Sequence, residues 1–277
     1  MPSVPQRPPL QPRGDEIVAT WIGHASFLIQ STRGNFLIDP VFGERASPVT
    51  WAGPRRAMPP GLTLDALPRI DAVLVSHDHY DHCDVATLRT LAHRHDAVFV
   101  APLRHHDLLA SAGARRVVEL DWWQTHALGE ITVMLTPSKH WSNRLGTPRN
   151  HRLWGGFYLT FGGGSLRRVW FVGDTGYDAA IFRAIAHRCG SPDLALIPIG
   201  AYEPRWFMAP MHVNPAEAVQ IHCDVGARLS VGMHWGTFQL TDEGRDDPLS
   251  ALTAARVSAG LRPEDFRIVA PGGSVLI

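Results

Sequence analysis

From Glu16 onward the chain is dominated by short apolar runs separated by Gly, Pro, Asn and Asp. That pattern predicts strands more often than long helices. Strands are predicted at 17–22, 26–30 and 35–38, parted by Gly23 and the Arg33-Gly34-Asn35 turn, and at 72–76, a continuous apolar run of buried type. Others are predicted at 98–100, 117–120, 131–135, 156–161, 168–172, 194–199, 229–233 and 267–269. Helical signals alternate with them. Asp84 can cap a helix with Val85, Leu88 and Leu91 on one face, residues 102–112 close at Gly113, and 179–189 end at Gly190. Asn214-Pro215-Ala216-Glu217 has an N-cap, a first-turn proline and an acid three residues after the cap, with Gly226 as the stop. A last helix is predicted at 248–259. The Pro- and Gly-rich stretch 43–69 reads as a long ordered loop. The prolines of residues 1–14 read as a Pro-rich N-terminal arm. Residues 15–277 then form one α/β domain.

Composition narrows the function classes. At 277 residues and 45% hydrophobic content the chain has material for a sizeable core. Lys+Arg and Asp+Glu both number 26, so no cation excess is available for a nucleic-acid backbone. No apolar window reaches the ~18 residues of a spanning helix. The first 14 residues lack the apolar core of a secretory signal, and Cys83, Cys189 and Cys223 form no CxxC pair. These features predict a reduced, cytoplasmic globular protein.

The histidines change the picture. Of 15, three fall in Ser76-His77-Asp78-His79-Tyr80-Asp81-His82, directly after the 72–76 strand. His77 and His79 can aim at one point, and Asp81 and His82 at a second nearby. Imidazole with carboxylate suits zinc, or iron or manganese at a hydrolytic site. His140, Asp174 and His234 each lie just past a predicted strand. Alone, each is more often a structural residue; their shared position makes a common site. Asp174, with two oxygens, suits a bridge between two metals.

The HxHxDH motif at 77–82, followed by His140, Asp174 and His234, resembles the metallo-β-lactamase superfamily. Trp21-Ile22-Gly23-His24-Ala25, Asp39-Pro40-Val41-Phe42, Gly173-Asp174-Thr175-Gly176-Tyr177, the run from Ile197 to Met208, His212-Val213-Asn214-Pro215 and His234-Trp235-Gly236-Thr237-Phe238 narrow the match. They resemble its N-acyl-phosphatidylethanolamine-hydrolysing phospholipase D branch. The resemblance implies an αββα sandwich of two facing mixed sheets flanked by helices, with two zinc ions at one edge. It places His77, His79 and His140 on one ion, Asp81, His82 and His234 on the other, and Asp174 on both. A hydroxide between the ions, formed because metal lowers the pKa of water towards ~7, would attack phosphorus. Asp81 would handle the proton, and His212 would contact phosphate or leaving group. The implied substrate is a phospholipid met at a membrane surface, releasing N-acylethanolamine and phosphatidic acid. The oligomeric state stays open. A soluble hydrolase acting on a lactone or small phosphodiester is the competing reading. Asp78 departs from the expected Asn and adds a negative charge beside the metals.

Several residues keep two readings. Asp39 is either a support for a ligand imidazole or a turn cap, and His24 is a second candidate support. Trp206 to Met211 form an apolar loop that either lines an acyl groove or folds onto the core. Trp51 with Arg55 and Arg56 offers a membrane-side element. His105-His106 are expected on a helix facing solvent, and Cys83 as a small buried residue.

Overall fold

The computed structural model describes residues 12–277, so the arm over 1–14 lies mostly outside the described residues. The short apolar runs pair into two seven-stranded sheets. The first holds β1 (Val18–Gly23), β2 (Ser26–Ser31), β3 (Gly34–Ile38), β4 (Ala72–Leu74), β5 (Val98–Pro102), β6 (Val117–Leu120) and β14 (Ser274–Leu276), in the order β14-β1-β2-β3-β4-β5-β6. The second holds β7 (Thr125–Leu128), β8 (Ile131–Thr136), β9 (Gly156–Phe161), β10 (Arg167–Phe171), β11 (Leu194–Pro198), β12 (Ser230–Met233) and β13 (Phe266–Arg267), in the order β13-β12-β11-β10-β9-β8-β7. Helices are α1 (Val85–Arg94), α2 (His106–Ser111), α3 (Ala179–Cys189), α4 (Arg205–Met208), α5 (Pro215–Val225) and α6 (Asp247–Ser258).

Side-chain alternation explains the layers. Phe27 and Ile29 join the large cluster shared with the second sheet, whereas Leu28 between them packs with Leu88 and Leu91 of α1. Ala72 and Leu74 against Val73, and Val100 against Phe99 and Ala101, repeat the division. A strand of period two buried on both faces reads as continuously apolar while serving two cores. The second sheet is covered by α3 and α5, whose Phe182, Ile185, Ala218 and Ile221 belong to the same large cluster.

Direction places the site. β3 to β6 run parallel, as do β10 to β13. β1 and β8 are each two antiparallel steps from those blocks. The carboxyl ends of β1, β3, β4, β8, β10, β11 and β12 therefore share an edge, the usual place for ligand chemistry in α/β sheets.

Some boundaries differ from the sequence pattern. The 102–112 helix shrinks to α2, because the apolar run continues the β5 ladder to Pro102↔Leu120 and Arg104 turns at φ 70°. His105 is buried there, donating from Nδ1 to the Pro102 carbonyl, and only His106 is exposed. Strand 267–269 moves back to Phe266–Arg267, since buried Phe266 pairs with Ser230. β7 and β14 carry apolar signals too weak to predict, and residues 205–208 form a short helix instead of a loop. The α5 capping box forms in both directions, and Gly226 ends the helix in the left-handed region.

Candidate metal centre

The β4 strand feeds straight into the His77–His82 loop, and the loop's geometry begins with buried Asp39 at the end of β3. Asp39 adopts φ 42°, so it does turn the chain, and its carboxylate also organises the site. Oδ1 accepts the Ser76 backbone N–H at 2.7 Å; Oδ2 accepts the Ser76 hydroxyl at 2.5 Å and His82 Nδ1–H at 2.7 Å. Because Ser76 gives its proton to Asp39, His77 must donate from Nδ1 to Ser76 Oγ, at 2.9 Å. One carboxylate thereby fixes the Nδ1 protons of two imidazoles, leaving Nε2 of each directed into the cluster.

His140, after β8, is fixed similarly: Nδ1–H donates to the Met211 carbonyl at 2.9 Å. His77 Nε2 and His140 Nε2 then lie 2.9 and 3.3 Å from His79 Nδ1. Two lone pairs face a nitrogen that can donate to only one of them. Such a surplus of acceptors among buried groups is what a cation satisfies.

Asp174, after β10, lies between two such groups. Its Oδ2 is 3.1 Å from His82 Nε2 and 3.2 Å from His234 Nε2, and 3.8 Å from both His77 Nε2 and His140 Nε2. Asp81 Oδ2 lies 3.4 Å from both His82 Nε2 and His234 Nε2. Its third neighbour is His24, in the β1–β2 turn, whose Nε2 is 2.8 Å away. Burial holds His24 down to about 3, so it stays neutral and donates to Asp81.

Charge is distributed unevenly. Burial and then neighbouring imidazoles push His77 well below its usual pKa, and burial does the same to His140. Burial opposes a proton on His82 and His234 too, but Asp174 overcomes it, lifting His234 to about 9 and His82 well above the ordinary value. Asp174 and Asp81 sit far below the carboxylate range, their desolvation outweighed by His234 and His82 respectively. Protons thus occupy the electron pairs that a divalent cation would take, which couples metal uptake to pH. Asp174 Oδ1, His79 Nε2 and His212 Nδ1 are buried without a hydrogen-bond partner among the described residues. The donor set therefore fits two cations.

Every residue expected at the site is at this edge. His212 joins them, its Nε2 3.9 Å from Asp174 Oδ2. Asp78 points away from the cluster, towards Arg152. Cys83 is buried, its thiol pushed up to about 12 by desolvation. A cavity of about 380 Å³ opens over the cluster, where His79, Asp81, Asp174 and His212 meet Trp141, Phe207, Met208, Met211 and Leu240. The 206–211 stretch is divided: Met208 is buried, while Trp206 and Phe207 are 83% and 54% exposed. Trp51 is exposed too, but Arg55 pairs with Glu44, and Arg56 turns inward to the Val41 carbonyl beneath Phe238.

Sequence reasoning does not find Ser76, Arg152 or Glu243. Ser76 had a signal, its position directly before His77. Arg152 and Glu243 had none, acting 74 and 40 positions away. Glu243 accepts the backbone N–H groups of Ala201 at 2.6 Å and Glu203 at 3.0 Å, tying the start of the 201–212 cavity wall to the segment bearing Leu240 and Thr241.

A sequence profile of the Beta-lactamase superfamily domain matches residues 34–235. N-acyl-phosphatidylethanolamine-hydrolyzing phospholipase D 1 of Caenorhabditis elegans is 40% identical over 234 residues, 81% of this chain and 65% of that one. The mitochondrial enzyme of that name in Saccharomyces cerevisiae is 35% identical over 84% of this chain and 50% of its own length. The chain thus spans one half to two thirds of these relatives. Among solved structures, an isothiocyanate hydrolase from Delia radicum gut bacteria superposes with a TM-score of 0.73, at 20% identity over 93% of this chain and 98% of that one, which bears on fold alone. A superfamily whose fold implies a dimetal site agrees with two cation-deficient groups sharing one aspartate: the chain belongs to the metallo-β-lactamase superfamily.

Proposed function

We propose that residues 15–277 form a dizinc phosphodiesterase of phospholipase D type. It hydrolyses N-acyl-phosphatidylethanolamine to N-acylethanolamine and phosphatidic acid. The observation that carries this reading is the cavity in which apolar side chains meet the His/Asp cluster, suited to a substrate with a phosphodiester at one end and acyl chains at the other. The 40% identity to the worm phospholipase supports it.

His77, His79 and His140 would hold one cation, Asp81, His82 and His234 the other, and Asp174 both. Bound there, zinc, with iron or manganese as alternatives, supplies Lewis acidity to phosphoryl oxygens and acidifies water. Asp39 and Ser76 hold the ligand imidazoles in the required tautomers. Asp81, oriented by His24, is placed to accept the proton of the attacking water. As water adds to phosphorus, the bond to the ethanolamine oxygen breaks and that oxygen takes up a proton. His212, whose Nδ1 has no partner among the described residues, would contact the phosphoryl or departing oxygen. Trp141, Met208, Met211 and Leu240 exclude water from the acyl side. Exposed Trp206 and Phe207 beside the opening would rest on the membrane surface holding the substrate. No helix among the described residues is long and apolar enough to cross that membrane.

The test is turnover of N-acyl-phosphatidylethanolamine in mixed micelles by zinc-loaded protein, with products identified by mass. A nitrophenyl phosphodiester and a lactone run alongside. Release of N-acylethanolamine, lost on chelation and restored by zinc, is expected. Turnover of the soluble substrates alone would overturn the phospholipase assignment.

A further inference from the structure

We propose that Asp78 is a positioning residue: through Arg152 and Asn143 it locks the His77/His79 loop of the first sheet to the segment after His140 in the second. The proposal rests on the reading of His77, His79 and His140 as ligands of one cation, but not on any substrate.

The three histidines come from loops on two different sheets, so packing within either sheet cannot fix their separation. Asp78 lies between two of them and faces the opposite way. Its carboxylate accepts Arg152 Nη1 at 3.0 Å and the Asn143 backbone N–H at 2.9 Å, with 1% and 9% of the Asp78 and Arg152 side chains exposed. Arg144 Nη1 donates to the Asp78 carbonyl at 2.7 Å and to that of Cys83 at 3.0 Å, holding both ends of the loop. The far side is itself closed: Ser142 Oγ donates to the Arg152 carbonyl, and the Asn150 N–H to the Ser142 carbonyl. That brings Asn143 and Arg152 together under one carboxylate. Arg152 is anchored in turn by Nε–H to the Arg104 carbonyl at 3.1 Å. The seam runs past Trp141, whose ring meets His79 edge-on at 4.6 Å. Supports of ligand orientation are typically worth about 10–100-fold in metal affinity.

Charge also matters, and it separates two explanations. If Asp78 and Arg152 acted only through their fields, Asp78→Asn would leave a cation near the site and weaken metal binding. Arg152→Gln would leave an anion and tighten it. A positioning role weakens binding in both single variants, because each leaves a buried charge unpaired and loosens the seam. The double variant removes both charges, while the amide oxygen introduced at position 78 can still accept from the Asn143 N–H.

The experiment is zinc titration of the metal-free protein against a chromophoric chelator, for wild type, D78N, R152Q and D78N/R152Q. Hydrogen exchange at the Asn143 amide is followed in the metal-free state. The expected result is one zinc equivalent weakened about 10–100-fold in each single variant, the other unchanged, partial recovery in the double, and faster Asn143 exchange in D78N. Opposite shifts in the two single variants, equal weakening of both equivalents, or wild-type affinity in D78N would overturn the proposal. If a single variant fails to fold, the double variant decides: near wild-type affinity supports the paired role, and loss of one equivalent with both charges gone overturns it. Absence of phospholipase turnover in the wild type would leave this titration intact, so failure of the substrate reading is seen separately.

Discussion

His82 donates from Nδ1 to Asp39 Oδ2 across 2.7 Å, with both side chains fully buried. This contact leaves His82 Nε2 facing Asp174, and the same oxygen takes the Ser76 hydroxyl that fixes His77. Asp39 therefore serves both proposed cation groups at once. Asp39→Asn should weaken both zinc equivalents by about 10–100-fold, since the amide cannot accept from Ser76 and His82 as a carboxylate does. Titration of the variant against a chelator checks this, and the loss of both equivalents distinguishes it from the one-equivalent loss expected of Asp78→Asn.

Asp174 is within 3.9 Å of five imidazole nitrogens through one oxygen. Asp174→Asn removes the charge that holds the two groups together. Hydrolysis should fall by at least about 100-fold, with metal content reduced towards one equivalent or less, against a typical outer-support cost of about 10–100-fold in affinity. Elemental analysis beside turnover is the check; full metal content with full activity would refute the bridging role.

His105 provides a pH dependence away from the cluster. Burial holds it down to about 4 in the folded chain, against an ordinary value of 6.5. As pH falls from 6.5 towards 4 the unfolded chain takes up this proton and the folded chain does not, so stability is lost through that window and is fully present above it. The size is on the order of 3 kcal/mol once pH has fallen to about 4. His105→Asn, which can still donate to the Pro102 carbonyl, should show a smaller drop in unfolding free energy between about pH 7 and about pH 4.5 than the wild type. Parallel denaturant curves at the two pH values measure the difference.

Glu243 controls the other side of the cavity. Glu243→Ala strips the carboxylate from the Ala201 and Glu203 amides, and charged hydrogen bonds of this kind are worth about 1.5–3 kcal/mol each. The 201–212 wall should loosen while the metal groups stay in place. KM for a long-chain substrate should rise several-fold, with kcat for a nitrophenyl phosphodiester and the zinc content nearly unchanged. Kinetics with both substrates test the split.

What the sequence reveals follows the range of the forces involved. Asp84, Asp178 and Asn214 each cap a helix through bonds spanning two or three residues, so Asp84 and Asn214 can be read locally. The 77–82 cluster is legible because adjacency to a strand end confines its side chains to one small volume. Asp39 stays ambiguous, since a turn and a hydrogen-bonding hub favour the same residue, and the structure uses it as both. His105 defeats the pattern because helical position predicts exposure only when no strand claims the preceding residues. Arg152 and Glu243 are invisible: a surface-type residue becomes a buried or bridging partner only when distant segments meet.

Each proposed cation group takes two side chains from the loop after β4 and the rest from the second sheet: His140 or His234, with Asp174 shared by both. During synthesis, a nascent chain that has emerged only as far as the first sheet's parallel strands presents both half-sets and completes neither. The first group would close only once His140 after β8 and Asp174 after β10 are both in place, the second only when β12 has joined its parallel block and delivered His234. On the proposed ligand sets, metal loading would wait for the second sheet to assemble.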